Sequence, residues 1–278
     1  VLGGSEDGYT ENAFVNFNKT ANEITAVYGG GSGETSETNN TTVNINGSTV
    51  NYVRGGSYNG GTTNTANIIK NGTHTVANID GGGYKANVGT SNITISSGRV
   101  TNVRAGSYES GQVNISNINL NSGTIENVYG GGFGETSVVN EVNIIEKGSV
   151  VTNIYGGPDT SGTVETSNIS LQSGRVTNAF GGGSGGVVSN SMVELKGATL
   201  TNIYGGANTS GTVETSKILL TSGTAQSVFG GGLNASQDSS NVELINARVT
   251  AIYGGSSGSG TVGTSNVTLT SGSISNVY

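Results

Sequence analysis

Apolar residues in this chain recur two apart rather than three and four apart. In the phrases "SNITISSG", "SNINLNSG", "SNISLQSG" and "SNVTLTSG" the apolar pairs are Ile93 and Ile95, Ile118 and Leu120, Ile169 and Leu171, and Val267 and Leu269. Period two places each pair on one face of a strand and the intervening Thr, Asn and Ser on the other. A second segment follows, such as "RVTNV", "TIENV" or "TLTNI", and ends just ahead of a glycine pair. A third segment lies beyond the glycines, as in "TSGTVETS" at 160–167 and 209–216 and "GSGTVGTS" at 258–265. Helical repeats are disfavoured by this spacing and by the Gly inside every unit.

The residue ahead of each glycine pair (Ala105-Gly106 in one case) marks the repeat. The markers are Leu2, Tyr28, Arg54, Asp80, Arg104, Tyr129, Tyr155, Phe180, Tyr204, Phe229, Tyr253 and Tyr278, spaced 24 to 26 residues apart. From Tyr155 onward "YGGxxTSGTVETS" and "FGGG" forms alternate, so the larger unit there is a pair of coils. Strands this short cannot bury a face alone, but stacked copies can pair in parallel with the coil above and below. The expected fold is therefore all-β: a single-stranded parallel β-solenoid of about eleven coils, three short strands per coil, in one continuous domain over 1–278. At about 4.8 Å per coil the rod is roughly 50 Å long. The chain starts at Val1 and stops at Tyr278 where a glycine pair is due. The expectation is a piece of a longer protein.

Composition narrows the chemistry. Of 278 residues 49 are Gly, one is Pro and none is Cys, with 10% charged and a net charge of −7. Disulfides and thiolate metal sites are excluded, and the lone His74 cannot build a His-rich centre. The thin negative charge argues against nucleic acid and against a polybasic membrane patch. No apolar run reaches the length of about 18 residues that spans a bilayer, so membrane insertion is not expected. No cofactor or metal is implied.

Residues of equal phase stack in a solenoid. Two residues before the marker, Asn recurs at Asn78, Asn102, Asn127, Asn153, Asn178, Asn202 and Asn276, the pattern of an amide ladder along the axis. The residue before the marker is small and apolar, as at Val128, Ile154 and Ile203. By alternation it points inward, and the marker aromatic points outward or lies over the glycine corner.

Three consecutive coils break the rule. Their markers are Arg54, Asp80 and Arg104, and an aromatic stands four residues on at Tyr58, Tyr84 and Tyr108, then at Phe133. One reading is an exposed ladder of alternating charge, each ion pair worth under about 1 kcal/mol, with the tyrosines covering the corner from the other side. The other is a platform for sugar recognition formed by Arg54, Tyr58, Asp80, Tyr84, Arg104, Tyr108 and Phe133. Rings would stack on the aromatics and Arg or Asp would bond hydroxyls and carboxylates. Lys85, Glu109 and His74 lie on the same coils.

Tracts of "VYGGG" with "NITISSG"-type strands resemble the repeat regions of large bacterial cell-surface and secreted proteins. The resemblance is to right-handed parallel β-helices of the pectate-lyase-like adhesin and autotransporter-passenger type. It implies right-handedness, a secreted or surface-anchored extracellular location, and a non-enzymatic adhesin or stalk. Its partner would be a host or environmental glycan or a cell surface. Three alternatives share the same scaffold. A carbohydrate-active enzyme needs paired carboxylates; Glu165 with Glu214, and Glu194 with Glu243, stand two coils apart, about 9.6 Å, but on repeat positions that do not make a pocket. A calcium β-roll needs a repeated Asp, whereas the counterparts of Asp159 are Asn208 and Ser257. Ice binding needs a Thr grid, and the outward row Asn16, Asn44, Thr94, Asn119, Asn143, Ser170, Glu194, Leu219, Glu243 and Thr268 lacks one. End-to-end self-association through open strand edges remains a further expectation.

Overall fold

The computed structural model describes residues 1–18 and 23–278. Among the described residues there are eighteen strands and no helix. Every pairing is parallel, and each strand bonds its counterparts one coil before and one coil after. The result is the parallel β-solenoid of about eleven turns that the spacing predicts.

One coil shows how the sequence builds the rest. The first strand, Asn87–Ile95, buries Val88, Ser91, Ile93 and Ile95 and turns the residues between them outward. The chain then turns at Gly98, whose φ of +83° lies in the left-handed region that L side chains rarely adopt. The second strand, Arg99–Arg104, buries Val100 and Val103. The expected third strand is not separate, since 163–167 and 212–216 open the first strand of their coils. The third side is the glycine pair and the bends after it. It is not a named strand, yet its backbone pairs coil to coil, with Gly56 N–H donating to Gly82 O at 3.1 Å and Gly82 N–H to Gly106 O at 3.1 Å. Later coils fuse the first two strands into one long bent strand, as in Thr163–Phe180.

The core is thin, so side chains from the three sides nearly meet. A Cβ added at Gly205 would lie 2.5 Å from Ser216 Oγ and 2.2 Å from Gly230 O. That contact explains why the glycine and the facing small Ser recur together. The apolar columns form one continuous cluster along the described rod.

The Asn column forms as expected from Asn78 to Asn202, but Ser227 and Ala251 interrupt it, so Asn276 stands apart from the ladder. Each Nδ2 donates to the Oδ1 one coil below, from Asn102 onto Asn78 at 3.1 Å through to Asn202 onto Asn178 at 2.9 Å. A second amide ladder runs on the first strand through Asn67, Asn92, Asn117, Asn143 and Asn168. This corrects the outward row: Asn143 belongs to that ladder, and Ile145 stands between Asn119 and Ser170. The coil from Tyr129 carries an extra residue ahead of Val139, which shifts the register there.

Two charged residues occupy core positions. Lys70 stacks between Ile45 and Ile95 and is fully buried. Its Nζ donates to the carbonyls of Asn71 at 2.8 Å and Gly72 at 2.9 Å, and burial lowers its pKa to about 8. Glu146 stacks between Leu120 and Leu171. Its Oε1 accepts from the N–H groups of Gly148 and Ser149, while burial raises its pKa.

Candidate functional site

The three unusual markers do stack in register: Arg54 opposite Asp80, Asp80 opposite Arg104, Arg104 opposite Tyr129. They are not the exposed ladder that alternation suggests. Asp80 is fully buried, and Arg54 and Arg104 are 4% and 5% exposed. Arg54 Nε donates to Asp80 Oδ2 at 2.9 Å, and Arg104 Nη1 to Asp80 Oδ1 at 3.2 Å. Arg104 also binds Asp159, Nη2 to Oδ2 at 2.8 Å, so the ladder reads Arg–Asp–Arg–Asp. Burial alone would lower the Arg104 pKa, but Asp80 and Asp159 outweigh it and hold the guanidinium above its ordinary value.

The shifted aromatics supply the cover. Tyr58, Tyr84, Tyr108 and Phe133 stack along the axis with centroids 5.4, 5.7 and 4.9 Å apart. Tyr28 closes the end of the stack edge-on to Tyr58 at 5.1 Å. The Arg54 guanidinium lies 4.9–5.3 Å from the ring centres of Tyr28, Tyr52, Tyr84 and Tyr108, a cage of four tyrosines. Its Nη1 also donates to the Tyr28 hydroxyl at 2.7 Å.

From Tyr129 onward the two positions exchange roles again. Tyr129, Tyr155, Phe180 and Tyr204 are stacked, buried markers, and the other phase now carries polar residues such as Asp159 and Asn208, with Leu233 packed against the cluster. Asn208 donates to the Tyr155 hydroxyl at 3.4 Å, and Asp159 reaches Tyr129. Asp159, weighed as a calcium ligand, is thus engaged by Arg104 and Tyr129.

An open cleft of about 340 Å³ lies at the start of the broken stretch, walled by Thr25, Ala26, Tyr28, Tyr52, Arg54, Tyr58, Tyr84 and Tyr108. Four expected residues therefore come together on it: Arg54, Tyr58, Tyr84 and Tyr108. Asp80 and Arg104 lie beneath the rings, and Phe133 stands at the far end of the stack. Tyr28, an ordinary aromatic marker, and Tyr52, which the marker rule did not single out, also wall the cleft. Tyr52 is legible in retrospect, because it takes the place of Asn in the amide column opposite Asn78.

The rings stack face to face, so they turn edges and hydroxyls outward, except where Tyr52 and Tyr58 stand 37% and 44% exposed. Lys85 and Glu109 also come together beside Tyr84, Lys85 Nζ to Glu109 Oε1 at 3.0 Å, whereas His74 sits in the turn ahead of the second strand. Glu194 and Glu243 are engaged by Lys196 at 2.8 Å and Lys217 at 3.6 Å. Comparison with protein-family models, with characterised proteins and with solved structures returned no match.

Proposed function

We propose that the chain is a non-enzymatic segment of an extracellular bacterial surface protein, an adhesin or rigid stalk, and that the tyrosine cleft contacts a glycan. The observation that carries this reading is a coincidence of place. The one stretch where the repeat exchanges its marker is also where five tyrosines and a caged guanidinium line an open cleft. Elsewhere stacking alone accounts for the repeated residues. An uninterrupted run of parallel ladders suits a spacer that holds such a cleft away from a surface.

The geometry also sharpens the ligand. Both guanidiniums are occupied by Asp80, Asp159 and Tyr28, so charge recognition is not their task. The cleft offers hydroxyl edges and the exposed Tyr52 and Tyr58, which fits a neutral sugar better than an acidic one. A glycan array comparing the wild type with Tyr52→Ala/Tyr58→Ala tests this. Tyr52 also lies over Arg54 and Tyr58 stacks on Tyr84, so the melting temperature of the variant is measured beside the array to separate loss of binding from loss of fold. Binding of neutral glycans that the variant loses is expected. No binding by the wild type, or equal binding by both, would sink the proposal.

A further inference from the structure

The outward face of the second strand holds a separate feature. Three of the five arginines, Arg99, Arg175 and Arg248, are exposed and form no ion pair with any described residue. All three fall in one register column. Thr124 and Val150 lie between the first two, and Thr199 and Thr224 between the last two. An arginine thus returns every third coil, roughly 14 Å along the axis. This recurrence is not the marker repeat, since no other column carries it.

Between Arg175 and Arg248 the face forms a cleft of about 370 Å³. Thr199, Thr224, Thr177, Thr201 and Thr250 line it with hydroxyls, together with the amide of Gln226. No carboxylate lines this stretch, whereas Glu126 stands one coil on from Arg99. In a chain of net charge −7, two unpaired guanidiniums bounding a hydroxyl-lined trough mark a local reversal of sign. A single small anion cannot reach both, but a linear polymer lying along the axis can. Guanidinium binds carboxylate and sulfate groups in a fork, and threonine hydroxyls bond sugar hydroxyls between them.

We propose that the trough from Arg175 to Arg248 binds a linear anionic polysaccharide, carboxylated or sulfated. The site is independent of the tyrosine cleft and stands or falls separately. Affinity electrophoresis through gels containing polygalacturonate, dextran sulfate or neutral dextran tests it at about 50 mM salt. The wild type is expected to be retarded by one or both anionic polymers and not by dextran; which polymer acts identifies the anion. Arg175→Gln/Arg248→Gln should weaken the retardation at least tenfold, while Arg99→Gln and Tyr58→Ala leave it unchanged. Because both arginines are exposed, the double variant should melt with the wild type, which separates loss of binding from loss of fold. No retardation of the wild type, or retention by the double variant, would overturn the proposal. So would equal retention by single-stranded DNA, which would mark a generic polyanion surface.

Discussion

Asp80 is the keystone of the buried charge ladder, and replacing it tests how that ladder is held. Asp80→Asn keeps the shape but removes the charge that two guanidiniums share, at 2.9 and 3.2 Å. Arg104 retains Asp159, while Arg54 is left with the Tyr28 hydroxyl and the tyrosine rings. Breaking a buried ion pair by removing one partner costs about 3–5 kcal/mol, because it strands a desolvated charge. In a solenoid, coils contact only their neighbours, so the loss should appear as local opening rather than as global melting. Amide hydrogen exchange at Gly55 and Gly81, which bond across these coils, should therefore accelerate at least about a hundredfold, and exchange in coils beyond Phe180 should not change. Arg54→Met/Asp80→Leu removes the stranded charge together with its partner and should recover much of the loss. An Asp80→Asn variant within about 0.5 kcal/mol of the wild type would refute the reasoning, for water must then reach the ladder. A double variant less stable than Asp80→Asn would refute it from the other side.

Two further outcomes follow from the core. The Lys70 pKa is lowered from 10.5 to about 8 on folding, so between those values the unfolded chain binds the extra proton and stability rises with pH. Subtracting the urea stabilities of Lys70→Met from those of the wild type at pH 7 to 11 should show that rise, about 1.4 kcal/mol per pH unit within the window, and a flat difference would contradict it. In the amide column Asn153 donates to Asn127 and accepts from Asn178. Asn153→Ala should cost about 1–2 kcal/mol in the same assay, roughly twice the cost at Asn202, whose next rung is Ser227.

The coil register was legible because equal phase is fixed by counting, which suffices to bring Arg54, Asp80 and Arg104 together. Their burial was not legible. Alternation correctly sends the marker out of the central core, but side chains from the other edge of the coil fold back over it. That approach is set by ring size and loop path, not by period. Lys70 could have been found by laying "NIIKNG" over "NITISSG", which places it on Ile95. Glu146 was harder, because the extra residue before Val139 moves its phase. The unpaired arginine column does not show in the marker repeat, because its period is three coils and it lies on the outward face of the second strand.

The exchange of markers also bears on assembly. Near-identical coils can pair with the wrong neighbour, since sliding by a whole coil preserves every apolar column. The Arg54–Asp80–Arg104–Asp159 series ends that freedom. A slip of one coil would place a guanidinium against a guanidinium or against an aromatic ring with no carboxylate in reach, at a cost of several kcal/mol. The ladder therefore acts as an index mark, giving otherwise interchangeable coils a unique address.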